Sequence, residues 1–397
     1  MRHVIVGNGV AGITAAIELA RRQAGEIEIY TAERHPYYFR PRLPYFLAGE
    51  ISQEDLYVHP PSWYEKKGIE MHLDARVIRL MPDRKRILLA DGTEVPYNRL
   101  LLAAGSAPFV PPIEGTDRKG VFTLRTLDDA LAIEEYASRC REAVVIGGGL
   151  LGLEAARGLK VLGLSVTVLE FSPRLLPRQL DDEGAAIFRR LIEGLGLGIA
   201  FNADTRAILG DGEVKRVVLR DGREFPARMV LIAAGVRSSA GLAAVAGLPV
   251  DRGIVVDEHM ATGAPDIYSA GDAASFRGRS WGIIPVARAQ ALVAAANMAG
   301  DNVLYEEVVP SNTLKIVGID LTSAGTVVPE GEEFVEMRRS APEAGIYKKL
   351  VLKNGTPVGA IVIGDKALAR KLEGLVTRRA RLSREEALNL LEEMHHS

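Results

Sequence analysis

The sequence predicts an α/β protein built from two similar units and a smaller α+β domain, and two repeats support this prediction. The first repeat is a Gly-x-Gly-x-x-Gly pattern directly after an apolar run, at residues 7–12 and again at 147–152. The second is a longer stretch, residues 86–105, which matches residues 216–235 without a gap. Apolar runs that alternate with helix-like stretches are typical of parallel sheets covered by helices.

The glycine pattern is the first element to justify. Three glycines at this spacing allow a tight turn from strand to helix and a close backbone approach, and the N–H groups of the helix N-terminus can bind a pyrophosphate. In each unit a further strand-like run follows and leads to an acid, Glu33 or Glu170, which can accept hydrogen bonds from ribose hydroxyls. A single glycine motif often serves only packing. Two motifs with strand, helix and acid in place predict two Rossmann-like dinucleotide-binding units.

The longer repeat indicates how each unit continues. The pairs Asp91-Gly92 and Asp221-Gly222 fall between strand-like runs, which is typical of a hairpin turn. Each hairpin is followed by an apolar strand that ends in Ala-Ala-Gly, at residues 103–105 and 233–235. We expect both of these strands to return to the parallel sheet.

Composition excludes several classes of function. The chain has 397 residues, of which 47% are hydrophobic and 25% charged, and its net charge of -2 gives no field for nucleic acid. Short basic clusters, such as residues 84–86 and 378–381, are solvated faces or a docking patch for an acidic partner. No apolar run approaches membrane-spanning length, and the first strand begins at once. We therefore expect neither a membrane span nor a signal peptide, and a cytoplasmic protein.

Cysteine and histidine usage narrows the chemistry. Cys140 is the only cysteine, so an intramolecular disulfide and a Cys-x-x-Cys redox pair are both excluded. Arginines flank this thiol and could lower its pKa, but an inert loop thiol is the simpler interpretation. The seven histidines show no metal-binding spacing, so no metal site is expected.

The segments between and after the repeats complete the pattern. Residues 35–45 are too rich in proline for a central strand or a helix interior, and we expect them to lie along the bound nucleotide. Further strands are predicted within residues 251–257 and 262–272. Helical structure is predicted from Ala273 onward and again from Pro285 to Met298.

The pattern changes near residue 311, where strands and turns are followed by amphipathic helices. We therefore predict three domains. The first is discontinuous, formed by residues 1–112 and 242–310. Residues 113–241 form the second domain, and residues 311–397 form a C-terminal α+β domain.

These motifs, in this order, resemble the FAD-dependent pyridine nucleotide disulfide oxidoreductase superfamily over residues 1 to about 310. The fold implied is glutathione-reductase-like. Three further stretches are similar to NADH:rubredoxin reductases and to the flavin part of NADH-dependent nitrite reductases: residues 38–43, 123–130 and 313–325. The resemblance implies that the first unit binds FAD and the second binds NADH.

One position separates the chain from neighbouring branches. Coenzyme A disulfide reductases and NADH oxidases or peroxidases resemble residues 41–45 but carry a redox cysteine two residues before Leu43-Pro44-Tyr45. Pro41 stands at that position here. Without that sulfur neither a mixed disulfide nor a sulfenic acid can form, so the flavin must pass its electrons directly to an acceptor.

The motifs and the resemblance together assign the site residues. Those expected at FAD are Gly7, Gly9, Val10, Ala11, Gly12, Glu33, Arg40, Pro41, Val77, Ala104, Gly105, Arg125, Gly271, Asp272 and Pro285. Those expected at NADH are Gly147, Gly149, Leu150, Leu151, Gly152, Glu154, Glu170, Arg174, Ala234 and Gly235. Asp272 either accepts from a ribityl hydroxyl or caps a helix. The positive end of the helix after residues 281–285 could face the flavin.

Four charged residues have alternative interpretations. Glu170 favours NADH over NADPH because it repels a 2′-phosphate, whereas Arg174 could partner that phosphate. The family's glutamate at the position of Glu154 touches the nicotinamide carboxamide, but a carboxylate in the first helical turn also suits the helix dipole. Arg40 and Lys315 are the catalytic candidates, as cations that stabilise negative charge on the reduced flavin, or they are surface ion-pair partners.

Three functions remain open from the sequence. The leading one is an NADH-dependent reductase of a small electron carrier such as rubredoxin or ferredoxin, with hydride transfer between stacked cofactor rings and no acid/base pair. The second is an NADH oxidase or dehydrogenase that uses oxygen, a quinone or another small acceptor. The third is a flavin-binding, redox-responsive interaction subunit. A homodimer is compatible with each of them.

Overall fold

The computed structural model describes residues 1–307, 311–316 and 318–392, with the side chains of 311–316 excepted. Within these residues the α-helices are α1 (Val10–Arg21), α2 (Leu43–Leu47), α3 (Pro61–Lys66), α4 (Leu127–Ala137), α5 (Leu150–Val161), α6 (Asp182–Gly194), α7 (Gly241–Val245), α8 (Ile284–Met298), α9 (Lys366–Arg378) and α10 (Arg384–Glu392).

The strands of the first half are β1 (Arg2–Val6), β2 (Glu26–Tyr30), β3 (Ile69–His72), β4 (Val77–Met81), β5 (Arg86–Leu89), β6 (Glu94–Pro96), β7 (Arg99–Leu102), β8 (Ser106–Pro108), β9 (Val121–Thr123), β10 (Glu142–Ile146), β11 (Ser165–Leu169) and β12 (Gly198–Ala200). Those of the second half are β13 (Thr205–Leu209), β14 (Arg216–Leu219), β15 (Glu224–Pro226), β16 (Met229–Ile232), β17 (Val236–Ser238), β18 (Ile254–Val256), β19 (Ile267–Ser269), β20 (Ala274–Phe276), β21 (Ser311–Ile316), β22 (Ile319–Gly325), β23 (Phe334–Ala341), β24 (Ile346–Lys353) and β25 (Thr356–Ile363).

The first compact unit comprises Met1–Leu43, Ile51–Pro108 and Val236–Val308. Its centre is a parallel sheet in the order β19-β7-β1-β2-β3. The central strand β1 ends in the apolar run Val4-Ile5-Val6, which is buried because both faces of the sheet are covered, and α1 and α8 pack together on one of them. An antiparallel sheet, β4-β5-β6, lies beside it.

The second compact unit comprises Pro44–Glu50, Phe109–Gly235 and Val309–Ser397. It repeats the architecture, with a parallel sheet in the order β12-β11-β10-β16-β9 and an antiparallel sheet β13-β14-β15. The C-terminal part adds an antiparallel sheet in the order β21-β22-β25-β24-β23, against which α9 and α10 pack.

The predicted long repeat is confirmed. In both units a hairpin turns at an Asp-Gly pair, where the glycines have φ of +91° (Gly92) and +90° (Gly222). The aspartate of each pair accepts a hydrogen bond from the backbone two residues later. The following strands, β7 and β16, then enter the parallel sheets as expected.

Two local predictions were wrong. The helix expected from Ala273 onward is instead the short strand β20, which pairs with β18 in parallel. Its three residues are buried, so sheet pairing in the interior overrides the helical preference of alanine. Glu154 is the fifth residue of α5 and therefore lies beyond the first turn, where the unpaired N–H groups are.

The proline-rich segment contains two short helical turns rather than a long element. A 3₁₀ turn spans Arg40–Arg42 and α2 follows it directly. Pro41 and Pro44 occupy first-turn positions, where the missing N–H group costs nothing.

Candidate functional sites

The first glycine loop, between β1 and α1, is closed to side chains at two of its three glycines. Gly7 has φ of +109°, and a Cβ there would lie 2.3 Å from the carbonyl oxygen of Ala103. A Cβ on Gly12 would lie 1.9 Å from the carbonyl oxygen of Gly7. At Gly9 a Cβ would approach only the Nη1 atom of Arg40, at 3.6 Å. A ligand can therefore approach the loop at Gly9, whereas a side chain at Gly7 or Gly12 would clash with backbone atoms.

The acid of the first unit lies in a polar cluster beside this loop. Glu33 accepts a hydrogen bond from the Tyr38 hydroxyl at 2.5 Å and forms an ion pair with Arg40. The Nε atom of Arg40 is buried and has no hydrogen-bond partner among the described residues. A buried donor without a partner is rare in folded proteins and is available here to an anionic ligand. The Arg40 guanidinium thus lies close to both Gly9 and Glu33.

Asp272 lies in a 3₁₀ turn, Gly271–Ala273, directly after β19. Its carboxylate accepts a hydrogen bond from the Ser106 hydroxyl at 2.7 Å. The backbone N–H of Gly271, where φ is +76°, donates to the side-chain oxygen of Gln290 on α8 at 2.9 Å. The residue before α8 is Ile283, so Asp272 does not cap that helix.

The remaining predicted FAD residues lie at element ends of the first unit or in separate segments. Val10 and Ala11 begin α1, and Val77 begins β4. Ala104 and Gly105 follow β7, and Pro285 is an exposed first-turn residue of α8. In the second unit, the backbone N–H of Arg125 donates to Asp129 before α4.

The second glycine loop, between β10 and α5, repeats the geometry of the first. Gly147 has φ of +117°, and a Cβ there would lie 2.4 Å from the Ala233 carbonyl oxygen. A Cβ on Gly152 would lie 2.0 Å from the Gly147 carbonyl oxygen, whereas one on Gly149 would meet nothing within 4 Å. The neighbouring predicted residues are Leu150 and Leu151 at the start of α5, and Ala234 and Gly235 after β16.

Glu170 is buried against this loop. Its two carboxylate oxygens accept hydrogen bonds from the N–H groups of Gly148 and Ser172, each at 2.7 Å. The Nη1 atom of Arg174 donates to Asp182 at 2.6 Å, and its Nε atom is buried with no hydrogen-bond partner among the described residues. The backbone of the loop thus fixes the position of the carboxylate.

A cleft in the second unit contains Glu154. It is lined by Pro44, Tyr45, Glu154, Arg157 and Gly318. Burial raises the pKa of Glu154 to about 7. Arg157 is paired with Glu50, and a Cβ on Gly158 would lie 3.3 Å from the Pro44 carbonyl oxygen, which shows how closely α2 approaches α5. The position of Tyr45 beside Glu154 was not predicted from the sequence. The available signal was Gly158, because a glycine in the middle of a helix lets another segment of the chain pack closely against it.

The single thiol, Cys140, is half-buried in the segment between α4 and β10 and is not among the residues that line the cleft. Burial raises the pKa of Cys140 more than the flanking arginine Arg139 lowers it. Its Sγ atom donates to the Tyr136 carbonyl oxygen at 3.4 Å. The second catalytic candidate, Lys315, pairs through its backbone with Asp320 between β21 and β22, and its side chain lies outside the described residues.

The geometry defines a protein with two dinucleotide-type glycine loops, each beside a hydrogen-bonded acid. Family comparison gives the same result: the model of the pyridine nucleotide-disulphide oxidoreductases matches residues 1–291, and that of the rubredoxin NAD⁺ reductase C-terminal domain matches residues 310–380. The chain belongs to the pyridine nucleotide-disulphide oxidoreductase family, whose members are FAD-dependent NAD(P)H oxidoreductases.

Individual relatives narrow the comparison. A nitrite reductase [NAD(P)H] of Bacillus subtilis is 36% identical over 392 residues, covering 98% of this chain and 49% of the relative. An NADH-rubredoxin oxidoreductase of Clostridium acetobutylicum is 31% identical, covering 93% of each chain. The reductase in the covalent putidaredoxin reductase–putidaredoxin complex superposes with a TM-score of 0.88 at 28% identity, covering 98% of this chain and 95% of that one. The chain thus spans about half the length of the nitrite reductase and nearly all of the carrier reductases.

Proposed function

We propose that this chain is an NADH-dependent flavoprotein reductase that passes electrons to a small electron-carrier protein of the rubredoxin or ferredoxin type. The observation that supports it most is the pair of open glycine loops, each beside an acid, in a chain whose only thiol, Cys140, is half-buried in the segment after α4 and has a raised pKa. The similarity to an NADH-rubredoxin oxidoreductase over almost the full length of both chains favours a protein acceptor.

The residues of the first unit fit FAD. In this proposal Gly7, Gly9 and Gly12 hold the pyrophosphate together with the unpartnered Nε of Arg40, and Glu33 accepts from the adenosine ribose. Asp272, oriented by Ser106, accepts from a ribityl hydroxyl. FAD, when bound, accepts a hydride from NADH and releases the two electrons one at a time. For each NADH oxidised, two one-electron carriers are reduced and one proton is released.

The residues of the second unit fit NADH better than NADPH. Gly147, Gly149 and Gly152 approach the pyrophosphate, and Glu170 accepts from the 2′-hydroxyl of the adenosine ribose. A 2′-phosphate beside the buried Glu170 carboxylate would be repelled, and this repulsion favours NADH although the Nε atom of Arg174 has no partner among the described residues. In this proposal Glu154, which lines a cleft with Tyr45, contacts the nicotinamide carboxamide, as the family's glutamate at this position does.

The domain organisation belongs to the same proposal. Residues 1–112 and 242–310 are assigned to FAD, 113–241 to NADH, and 311–397 to a C-terminal domain that matches the rubredoxin reductase model. No helix in the described ranges is long and apolar enough to cross a membrane. A homodimer is compatible with this organisation.

The deciding experiment compares acceptors side by side. NADH oxidation by the FAD-loaded protein is measured with rubredoxin, a [2Fe–2S] ferredoxin, oxygen and menadione. We expect kcat/KM to be highest with one of the two carrier proteins, and stopped-flow flavin reduction to saturate at lower NADH than NADPH. Faster turnover with oxygen or menadione than with either carrier would support the oxidase or dehydrogenase alternative, and slow turnover with every acceptor would support a redox-responsive subunit.

A further inference from the structure

An exposed basic loop connects β20 to α8. It consists of Arg277-Gly278-Arg279-Ser280-Trp281-Gly282, and each of these residues is exposed. Phe276 and Arg279 exchange both backbone hydrogen bonds at 3.0 Å, so the chain reverses at Arg277 and Gly278. Both turn residues have positive φ, +49° and +75°. Glycine or asparagine suits such a turn better than arginine, so the arginine is not explained by the backbone.

The two arginines of the basic loop have no acidic partner within the described part of the chain. The Arg277 guanidinium lies over the Phe276 ring at 4.9 Å, and the Arg279 guanidinium lies over the Trp281 ring at 5.6 Å. Other arginines of the same unit, such as Arg22 and Arg99, are paired with acids. Although the chain has a net charge of -2, this loop presents unneutralised positive charge and a 36% exposed tryptophan.

The basic loop is attached to the proposed FAD site. The Ser280 hydroxyl donates to the Asp272 carbonyl oxygen at 3.3 Å. At its other end the loop leads directly into α8, whose Gln290 binds the backbone of Gly271. A protein held on this loop would therefore be close to the residues assigned to the flavin.

We propose that the basic loop is the docking surface for a small acidic electron-carrier protein, an inference that rests on the proposed function. Electron transfer requires the two redox groups to be close, which restricts docking to surfaces beside the FAD site. Arginine and tryptophan are the residues most enriched at binding hot spots, and unpaired surface cations accelerate the encounter with an oppositely charged partner. The charge on the loop selects an acidic carrier over a neutral or basic one.

The test reverses the charge of the loop in the FAD-loaded full chain, as Arg277→Glu/Arg279→Glu. Reduction of an acidic rubredoxin and of neutral menadione is followed at low and high ionic strength. We expect kcat/KM for rubredoxin to fall at least ~10-fold at low ionic strength and to lose its decrease with added salt. Flavin reduction by NADH and turnover with menadione should be unchanged.

A matched control carries the same charge change elsewhere on the same unit. Arg79 and Arg84, on β4 and the turn after it, are exposed and have no acidic partner among the described residues. The Arg79→Glu/Arg84→Glu variant should keep most of its activity with rubredoxin. In a further variant, Trp281→Ala should reduce rubredoxin turnover while the salt dependence stays as in the wild type.

The outcomes distinguish this inference from the proposed function. If the wild type reduces rubredoxin and the Arg277→Glu/Arg279→Glu variant does so equally well, only the docking surface is refuted. An equal loss in the Arg79→Glu/Arg84→Glu control would also refute it, because net charge alone would explain the effect. If the wild type reduces menadione but no acidic carrier, the proposed function and the docking surface both fail.

Discussion

Asp272 is the residue on which the FAD assignment can be tested most directly. Replacing it by alanine removes a charged acceptor that Ser106 orients, and should weaken FAD binding by about 1.5–3 kcal/mol, roughly 10- to 150-fold in Kd. Flavin retention is measured by fluorescence of the released FAD after dilution. Asp266→Ala, on the same unit but in an ion pair with Lys85, is the control that should retain FAD. Equal retention by both variants would contradict the ribityl role.

Glu154 makes a prediction about pH. Burial raises its pKa from 4.5 to about 7, so between these values the folded protein keeps a proton that the unfolded chain has lost. The contribution of Glu154 to the free energy of unfolding is therefore most favourable below pH 4.5, and it is lost progressively as the pH rises from 4.5 to about 7. Glu154→Gln lacks this titration and should gain stability relative to the wild type by on the order of 1–3 kcal/mol between pH 4.5 and 7.5.

Urea unfolding of wild type and variant at several pH values measures this difference. Glu65→Gln, at an exposed position of α3, should show no such trend with pH. A difference between Glu154→Gln and wild type that is constant with pH would mean that the carboxyl titrates at its ordinary value.

The geometry of both glycine loops could be predicted from the sequence, whereas the surroundings of Asp272 could not. Gly7 and Gly147 have positive φ angles, which favour glycine over other residues, so a short sequence motif suffices to recognise them. The partners of Asp272 could not be predicted in the same way. Ser106 and Gln290 come from distant parts of the chain and meet it only once the sheet and α8 are in place.

At the scale of elements, α6 and β24 are joined by a buried polar cluster. Lys349 of β24 is 1% exposed and forms ion pairs with Asp181 at 2.8 Å and Glu336 at 2.5 Å. Asp181 also caps α6 through the Gly184 N–H and accepts from the Tyr347 hydroxyl. The cluster therefore fixes the C-terminal sheet to a helix of the predicted NADH-binding segment.

Removing the cation of this cluster should be costly. Lys349→Met leaves two carboxylates near each other without their buried partner, and we expect the free energy of unfolding to fall by about 3–5 kcal/mol. Lys353→Met, on the same strand but with an exposed ion pair to Glu333, should cost less than about 1 kcal/mol. Urea denaturation followed by circular dichroism measures both. Equal losses in the two variants would mean that the buried cluster adds no stability of its own.

Helices and strands could be predicted where the signal lies in the local sequence. They could not be predicted where a segment becomes a strand only by pairing with another strand. The Asp-Gly hairpins and the strands after them follow from turn chemistry and apolar runs, so the repeat was found from sequence. Strand β20 was missed because its residues, Ala274–Phe276, become a strand only through pairing with β18. The approach of α2 to α5 was also missed, since five residues give no helical periodicity to interpret.

At the scale of the whole molecule, the location of the single cysteine determines how many equivalents of NADH are needed to reduce the protein fully. Pro41 stands where related branches carry a redox cysteine, and Cys140 is held with a raised pKa at the end of α4. Under the proposed function the flavin is then the only group that accepts electrons. Anaerobic titration with NADH, monitored by the loss of the visible absorbance of oxidised flavin, should reach full reduction with one NADH per FAD.

The variant Cys140→Ser tests the same argument independently. Because the thiol donates to a backbone carbonyl and burial disfavours its thiolate, serine should leave NADH-to-carrier turnover within about twofold of the wild type. The titration should again end at one equivalent. Consumption of a second NADH per FAD by the wild type, together with its absence in the serine variant, would show that Cys140 is present as an oxidised species, such as a sulfenic acid, which takes up two electrons and two protons to give the thiol and water. Direct transfer from flavin to acceptor would then be the wrong mechanism.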